Sequence, residues 1–339
     1  MVGLLGLMAG CTATASLDES LNGELARQKV PGVAVAVVRG GEIELERGYG
    51  LANLELGVPV HPETIFQSGS AGKQFTAALV MLLVQDGLLA LDDPLARHLP
   101  GTPASWSGIT VRQLLTHTSG LADPYEKLDL TRNYTEAELL AIYGTVPLLF
   151  APGADWSYSN MGYHALGFLA SHVGGKFYGD QLVERLFLPA GMSSARVINE
   201  RDIVLHRADG YDLEDWVPKN QTWVAPNLNT TGDGSIYLSV HDFARWDLAL
   251  RQGTPLDFAL QEAMRSPAVL SNGRTEAYGF GWALEDWEGH AAISHSGAWQ
   301  GFTSMWIHLL DTDLSVIVLT NCSGADPSAF AALVLRNYL

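Results

Sequence analysis

The sequence predicts an α+β fold in which one antiparallel sheet, flanked by helices and built from both chain ends, encloses an inserted, mainly helical domain. Two observations predict it. β-branched apolar segments separated by turn residues occur near the start and again in the last third of the chain. Helix-capping sequences dominate the middle. The predicted sheet domain comprises residues 17–87 and 230–339, and the predicted insertion comprises residues 88–229.

The composition fixes the broad class of the protein. The chain has 339 residues, of which 47% are hydrophobic and 17% charged, so it can bury a sizeable core and fits two domains or one large domain with an insertion. Its formal net charge of −17 would repel a phosphate backbone, which argues against nucleic acid as a partner. Internal repeats and low-complexity tracts do not occur in the sequence, so neither a solenoid nor a disordered chain is predicted.

Residues 1–16 predict an export signal. The segment has no charged residue and is too short in its apolar part to span a bilayer. The run Leu7-Met8-Ala9-Gly10-Cys11 resembles the lipobox of bacterial lipoproteins, which implies cleavage, lipid attachment at Cys11 and export to the cell envelope. An apolar N-terminus without processing is the alternative, because a signal peptide usually opens with Lys or Arg and this segment has neither.

Strands are predicted at both ends of the chain. Near the start, two apolar stretches flank Arg39-Gly40-Gly41-Glu42, which has the composition of a hairpin turn. Similar stretches follow in the last third, before a helix that is predicted to begin at Pro327. The predicted strands are Gly32 to Val38, Ile43 to Tyr49, Tyr278 to Glu285, Ala291 to His295, Thr303 to Leu310 and Leu314 to Leu319.

Helices are predicted between these strands. Three Thr or Ser residues are each followed three positions later by an acidic or amide side chain, which is the pattern of a capping box at the start of a helix. These pairs are Thr110 with Gln113, Thr135 with Glu138, and Ser239 with Asp242. Cys322 follows an apolar stretch and has no adjacent base, so it is predicted to be buried rather than reactive.

A buried helix predicted at Ala71 to Asp86 carries the first candidate catalytic residues. Its apolar side chains lie nearly all round the helix, and Gly87 ends it. Ser70 and Lys73 are three residues apart and therefore face the same side. A buried, neutral Lys73 amine is expected to take the proton of the Ser70 hydroxyl, and the helix N-terminus supplies unpaired N–H groups beside it.

Two further short motifs accompany this pair, Tyr158-Ser159-Asn160 and His295-Ser296-Gly297. Each occurs by chance in many chains, but the three motifs in this order are rare. The sequence contains no His-Glu-x-x-His pattern, no dinucleotide-binding fingerprint and no P-loop. We therefore expect a site that uses neither metal nor cofactor.

The segments around the motifs extend the pattern: Phe66-Gln67-Ser68-Gly69-Ser70-Ala71-Gly72-Lys73, Leu114-Leu115-Thr116-His117-Thr118-Ser119-Gly120-Leu121, Tyr158-Ser159-Asn160-Met161-Gly162-Tyr163, Gly232-Asp233-Gly234, Tyr278-Gly279-Phe280-Gly281-Trp282 and His295-Ser296-Gly297. Together they resemble the serine hydrolase family that contains class C β-lactamases, D-alanyl-D-alanine carboxypeptidases and β-lactamase-like esterases. The resemblance covers about Val30 to Leu319 and implies a β-lactamase/transpeptidase-like fold.

The resemblance also implies a role for each motif residue. Ser70 would be acylated, Lys73 and Tyr158 would carry its proton, and Asn160 would bind the substrate amide. His295, Ser296 and Gly297 would lie on a strand at the edge of the cleft and contact the substrate.

Next to this third motif, the backbone N–H groups of Ser70 and Ala298 would form an oxyanion hole. Trp299 is expected either to line the acyl pocket or to pack against the protein. His117 and Asp233 are expected to be structural residues.

Two positions depart from the family pattern. His295 stands where the β-lactamases usually have Lys, and a neutral imidazole attracts a substrate carboxylate less than an ammonium does. Gly72 replaces the usual Ser or Thr at a small cost in helix propensity.

We therefore expect a serine hydrolase that cleaves an amide or ester bond through an acyl-enzyme. A D-amino-acid-containing peptide or a small carboxylic ester is the expected substrate. A β-lactamase and a non-catalytic receptor for cell-wall peptide are the alternatives.

Overall fold

The computed structural model describes the backbone of residues 5–339 and the side chains of residues 17–339. The side chain of Cys11 and the start of the predicted export segment therefore lie outside the described residues. Among the helices that are described, none has the length and apolar character needed to cross a bilayer.

The bounds of the strands and helices are as follows. The strands are β1 (Gly32–Arg39), β2 (Glu42–Asn53), β3 (Val58–Pro59), β4 (Ile65–Gln67), β5 (Arg196–Val197), β6 (Tyr211–Glu214), β7 (Val217–Asn220), β8 (Ile236–Ser239), β9 (Ala268–Val269), β10 (Thr275–Glu276), β11 (Ala283–Trp287), β12 (His290–Trp299), β13 (Phe302–Leu309) and β14 (Leu314–Thr320). The helices are α1 (Leu5–Gln28), α2 (Lys73–Gln85), α3 (Val111–Leu115), α4 (Glu136–Tyr143), α5 (Asn160–Gly174), α6 (Tyr178–Leu182), α7 (Val240–Arg251), α8 (Phe258–Arg265) and α9 (Pro327–Tyr338).

A seven-stranded antiparallel sheet, in the order β11-β12-β13-β14-β1-β2-β3, forms the body of the molecule. Its N-terminal and C-terminal strands meet where β1 pairs with β14, from Val33 opposite Thr320 to Arg39 opposite Leu314. This pairing confirms the prediction that one antiparallel sheet is built from both chain ends.

Both faces of the central strands are covered, because alternate residues of β1 pack into two different cores. Val33, Val35 and Val37 pack in a cluster with residues of α1 and α9, including Phe330. Ala34, Ala36 and Val38 belong to the larger cluster that contains α2, α5 and α7. Burial on both faces explains why β1 and β14 are continuous apolar runs.

Three predicted helix starts are confirmed. The side chains of Thr110, Thr135 and Ser239 accept hydrogen bonds from the backbone N–H three residues later, and the reciprocal bonds complete three capping boxes at α3, α4 and α7. The region of residues 88–229 contains α3 to α6, and its assignment as a separate, mainly helical insertion stays a prediction. The exact boundaries of the two domains stay predictions.

The structure differs from the sequence prediction at several strands. The inserted region also contains β5, which pairs with β8, and the hairpin of β6 and β7. The prediction that a strand starts at Tyr278 is wrong, because β11 begins at Ala283. Between them, Gly281 has φ +75° and lies so close to α2 that a Cβ would stand 2.9 Å from the Gln74 backbone, so the chain turns there before it enters the sheet.

Candidate active site

Ser70 lies in a 3-10 turn, Gly69–Gly72, that leads directly into α2. The helix predicted from Ala71 is therefore α-helical only from Lys73, but the three-residue spacing still brings the two side chains together. Lys73 Nζ lies 3.0 Å from Ser70 Oγ. The Lys73 side chain is fully buried, so its amine is shielded from bulk water.

Lys73 has two further hydrogen-bond acceptors. Its Nζ donates to Asn160 Oδ1 at 2.7 Å and to the backbone carbonyl of Asp233 at 2.7 Å. Both of these oxygens can only accept, whereas the Ser70 hydroxyl can accept or donate. A neutral Lys73 could keep its two N–H donors on Asn160 and Asp233 and receive the proton of Ser70. Only the Ser70 contact has to reverse for a proton to move between the two residues.

Tyr158 lies beside this pair without a hydrogen bond to it. Its ring is 4.9 Å from Lys73 Nζ and packs against the imidazole of His117, with ring centroids 4.2 Å apart and an angle of 36° between the ring planes. Its hydroxyl is buried and has no partner among the described residues. The expected contact of this hydroxyl with Ser70 or Lys73 is therefore not formed, because the ring is fixed by its aromatic neighbours and the Lys73 amine is already occupied.

His295 is a satisfied, buried residue rather than an exposed ligand for substrate. Its Nδ1 donates to the carbonyl of Ser296 at 2.6 Å, and its Nε2 accepts from the Tyr278 hydroxyl at 2.9 Å. Burial, assisted by the charge of Lys73, lowers the pKa of His295 to about 4. The imidazole is thus neutral at pH 7 with both nitrogens occupied, so the expectation that this side chain binds substrate is not supported by its geometry.

The rest of the third motif lies at the edge of the sheet, next to Ser70. Strand β12 runs past the end of β11, whose last pair is Ala283 with Ser294. The 3-10 turn of Ser70 packs against β12, in the part of this strand beyond Ser294 that β11 does not cover. A Cβ on Gly297 would stand 2.0 Å from the Ser68 carbonyl oxygen, so only glycine allows this approach.

On the same strand, Ser296 and Ala298 have exposed side chains. A Cβ at Gly69 would stand only 2.5 Å from Ala298 N, so this nitrogen lies against the nucleophile turn. An oxyanion hole formed by the backbone N–H groups of Ser70 and Ala298 stays a prediction. Trp299 is half-buried, and its Nε1 donates to Asn229 Oδ1 at 2.6 Å.

The expected structural roles of His117 and Asp233 are confirmed. His117 is buried at φ +59°, and its Nδ1 accepts from the backbone N–H of Ser159 at 3.1 Å. The Asp233 carboxylate accepts from Thr231 Oγ1 at 2.6 Å and lies 3.2 Å from His164 Nε2. Burial alone would raise the pKa of this carboxyl, but His164 and Lys73 together hold it well below its usual range.

Asp123 is a residue of the site that the sequence prediction missed. Its Oδ1 accepts from Ser159 Oγ and the backbone N–H of Met161, and its Oδ2 accepts from the backbone N–H and Nδ2 of Asn160. With two donors on each oxygen, the carboxylate has no free position for a substrate. It caps α5 and holds Asn160 with Oδ1 towards Lys73. No local pattern marks it, because the residues it orients lie 36 to 38 positions further along the chain.

Gly72 is explained by its contacts. A Cβ there would stand 2.7 Å from Ser68 Oγ and 2.9 Å from Gly234 Cα, so the nucleophile turn has no room for the usual Ser or Thr.

Cys322 is buried, as predicted, and burial raises the pKa of its thiol. Across residues 17–339, no group of three or more His, Cys, Asp or Glu side chains is arranged to hold a metal ion.

Comparison with known proteins gives consistent similarities. The sequence profile of the Beta-lactamase family matches residues 17–337. Penicillin-binding protein 4* of Bacillus subtilis (strain 168) is 34% identical over 309 residues, which are 85% of this chain and 67% of that protein. The D-aminopeptidase of Brucella ovis is 30% identical over 322 residues, which are 91% of this chain but only 59% of that protein. The structure of D-amino acid amidase from Ochrobactrum anthropi SV3 superposes with a TM-score of 0.82 at 26% identity, covering 95% of this chain and 98% of the amidase.

Proposed function

Because the chain belongs to the Beta-lactamase family, we propose that it is a serine hydrolase that cleaves an amide or ester bond through an acyl-enzyme. One observation carries the proposal. The Lys73 amine is buried 3.0 Å from Ser70 Oγ, and its other two contacts are to oxygens that can only accept. This is the arrangement that a base needs in order to activate a serine hydroxyl.

In the acylation step, Ser70 Oγ attacks the substrate carbonyl as its proton passes to Lys73 Nζ. The new oxyanion accepts hydrogen bonds from the backbone N–H groups of Ser70 and Ala298. The proton then moves to the leaving amine or alcohol, directly from Lys73 or through the Tyr158 hydroxyl. Acyl transfer is complete when the leaving group departs and Ser70 carries the acyl group.

In the deacylation step, a water molecule attacks the ester carbonyl of Ser70 and gives one proton to the pair formed by Tyr158 and Lys73, which returns this proton to Ser70 Oγ as the bond between Oγ and the acyl carbon breaks. We assign Tyr158 the role of holding this water, because its buried hydroxyl has no partner among the described residues and is free to bind a water or a leaving group. Ser70 recovers its proton when the acid product leaves.

For the substrate, we favour a peptide or amide that contains a D-amino acid, with a small carboxylic ester as the next choice. The similar proteins are named for D-aminopeptidase and D-amino acid amidase activities. A β-lactamase is the weaker alternative, because His295 is neutral and cannot supply the cation that attracts the carboxylate of a β-lactam. A non-catalytic receptor for cell-wall peptide is weaker still, because Ser70 and Lys73 are in contact.

Export to the cell envelope with a lipid tether at Cys11 stays a proposal that rests on the lipobox resemblance. Intact mass of the protein recovered from an envelope fraction tests it. A chain that begins at Cys11 and carries additional acyl mass supports the proposal, and an unmodified full chain contradicts it.

The activity is tested with three substrates: p-nitrophenyl butyrate, a D-alanyl-D-alanine peptide and nitrocefin. We expect turnover of at least one of the first two and little or no turnover of nitrocefin. Ser70→Ala should abolish both turnover and labelling by a fluorophosphonate probe, whereas Ser107→Ala, at an exposed serine, should change neither. Labelling that persists in Ser70→Ala would contradict the assignment, and three inactive substrates with retained peptide binding would favour the receptor.

A further inference from the structure

A cavity of about 380 Å³ lies beside β4 and contains none of Ser70, Lys73, Tyr158 or His295 in its lining. Its walls come from the ends of several elements: β4, β8, the 200–210 loop, the chain after β7 and the start of β13. The proposed hydrolytic steps do not use it. We name it the Gln67 cavity, after the residue at the end of β4 that forms part of its wall.

Four charged side chains line the Gln67 cavity: Glu55, Glu200, Asp209 and Arg207. In the part of the chain whose side chains are described, none of the four forms an ion pair. The lining therefore carries three acidic side chains and one basic side chain that are not paired with one another or with any other charged residue that the structure describes. Glu55, Arg207 and Asp209 are exposed and Glu200 is half-buried, so the cavity presents both signs of charge to a ligand of complementary charge.

Each of these four side chains forms a hydrogen bond within the protein but keeps at least one further acceptor or donor unoccupied. One oxygen of each carboxylate accepts from a neutral amide, supplied by Asn220, Asn229 and Asn53 respectively. Arg207 donates one long bond of 3.4 Å to the Tyr237 hydroxyl. The second oxygen of each carboxylate, and most of the guanidinium N–H groups, are thus available to a ligand.

Gln67 gives an independent indication of a missing partner. Its side chain is only 2% exposed, and its Oε1 makes no hydrogen bond within the described residues. The Oε1 of Gln221, which also lines the cavity, is likewise buried and unpartnered. Because buried carbonyl oxygens nearly always have a donor, these two oxygens indicate a ligand that carries N–H groups.

We propose that the Gln67 cavity binds a free amino acid, with the ammonium group towards the carboxylates and the glutamine oxygens and the carboxylate towards Arg207. A zwitterion satisfies both signs of charge, which neither a simple amine nor a simple acid can do. The cavity volume falls in the range of small-molecule sites. A metal ion does not fit, because the acidic side chains of the described region are not gathered into a metal-binding group.

The cavity is connected to the catalytic site through one buried residue. Asn229 donates from Nδ2 to Glu200 Oε1 at 2.6 Å and accepts from Trp299 Nε1 at 2.6 Å. Trp299 directly follows Ala298, which is proposed to hold the oxyanion. A ligand that binds to Glu200 can therefore move Trp299 through Asn229.

Isothermal titration of the full chain carrying Ser70→Ala, which cannot turn substrate over, tests the proposal. We expect D- or L-alanine to bind more tightly than ethylamine or propionate. Glu200→Gln and Arg207→Met should each weaken alanine binding about tenfold or more, since each removes a charged hydrogen bond. Glu19→Gln, at an exposed position on α1, is the matched control and should bind like the parent protein.

Folding of each variant is checked by its melting temperature, and Glu55→Gln replaces any variant that does not fold. Absence of alanine binding overturns the proposal, as does equal affinity in every variant. Loss of binding in Lys73→Met with retention in Glu200→Gln would place the amino acid in the catalytic cleft and also overturn it. None of these outcomes depends on whether the protein hydrolyses the substrates tested above.

Discussion

One carboxylate oxygen of Asp123 holds Asn160 at two points: Oδ2 accepts from the backbone N–H and from the side-chain Nδ2 of Asn160, each at 2.9 Å. The amide of Asn160 therefore has a single orientation, in which Oδ1 receives the Lys73 amine at 2.7 Å. Asp123 thus acts on the base through Asn160, and it is a positioning residue.

Asp123→Asn should lower kcat about 10²-fold with little change in KM, because an amide nitrogen would face the donors of Asn160 and turn it away from Lys73. The melting temperature should fall by a few degrees as α5 loses part of its cap. The pH dependence of kcat should shift as well, since the surroundings of Lys73 change. Asp286→Asn, at an exposed position on β11, should show none of these effects. A change in melting temperature without a change in kcat would show that Asp123 acts only as a helix cap.

Lys73→Arg should be as inactive as Lys73→Met, although it keeps the positive charge. A guanidinium does not lose its proton in a protein and cannot act as the base for Ser70. The loss for both variants should be about 10²–10⁴-fold in the rate of fluorophosphonate labelling. Substantial labelling of the Arg variant would show that Lys73 supplies charge and not proton transfer.

Tyr158→Phe should separate activity from stability. The hydroxyl makes no hydrogen bond in the described structure, so its removal should leave the melting temperature unchanged or slightly higher, while kcat falls about 10²–10⁴-fold. Tyr178→Phe is the matched control, since the buried Tyr178 hydroxyl donates to the Thr231 carbonyl at 2.7 Å. That variant should lose stability and retain its catalytic rate per folded molecule. A destabilised Tyr158→Phe with normal kcat would contradict the proposed role.

Stability should fall as the pH is lowered from about 6.5 to about 4. The pKa of His295 is about 4 in the folded protein against 6.5 for a free histidine, because burial disfavours the charged imidazole. Over this window the unfolded chain binds a proton that the folded chain does not, so the free energy of unfolding decreases by about 1.4 kcal/mol per pH unit for such a group. His308, with a pKa of about 4 that is also lowered by burial, adds a similar effect.

Urea unfolding between these pH values checks the slope. His295→Asn should make it shallower, and His172→Gln, which replaces a more exposed histidine on α5, should leave it unchanged. An identical slope in His295→Asn would show that other groups cause the acid sensitivity.

Gly72→Ser should destabilise the fold and impair catalysis. The new Cβ would meet Ser68 Oγ at 2.7 Å and the Gly234 backbone at 2.9 Å, which should cost about 1–3 kcal/mol of unfolding free energy. Gly23→Ser, on α1, has nothing within 4 Å of its Cβ and should be neutral or stabilising. Chemical denaturation of the two variants side by side gives the comparison. Equal stability of the two would show that the turn adjusts to a side chain.

The parts of the fold that were predictable are those with local signals. The capping boxes at Thr110, Thr135 and Ser239 depend on residues three positions apart, and the apolar runs of β1 and β14 reflect burial on both faces. Strands β5 and β7 gave no such signal, because they are two and four residues long and largely exposed.

The same distinction applies to the site. The contact of Ser70 with Lys73 follows from their spacing on one helical turn. The contacts of Lys73 with Asn160 and the Asp233 carbonyl join residues 87 and 160 positions apart, so only the tertiary structure shows them. The neutral state of His295 also depends on its neighbours, because Tyr278 and the Ser296 carbonyl occupy its two nitrogens.

The pairing of β1 with β14 has a consequence for synthesis of the chain. Val33 leaves the ribosome long before its neighbour Thr320, so the first hairpin must wait, with one edge uncovered, until nearly all of the polypeptide has been made. During that interval the edge is open to pairing with other nascent chains. Efficient production of this protein should therefore depend on chaperones that shield the early strands until the last one arrives.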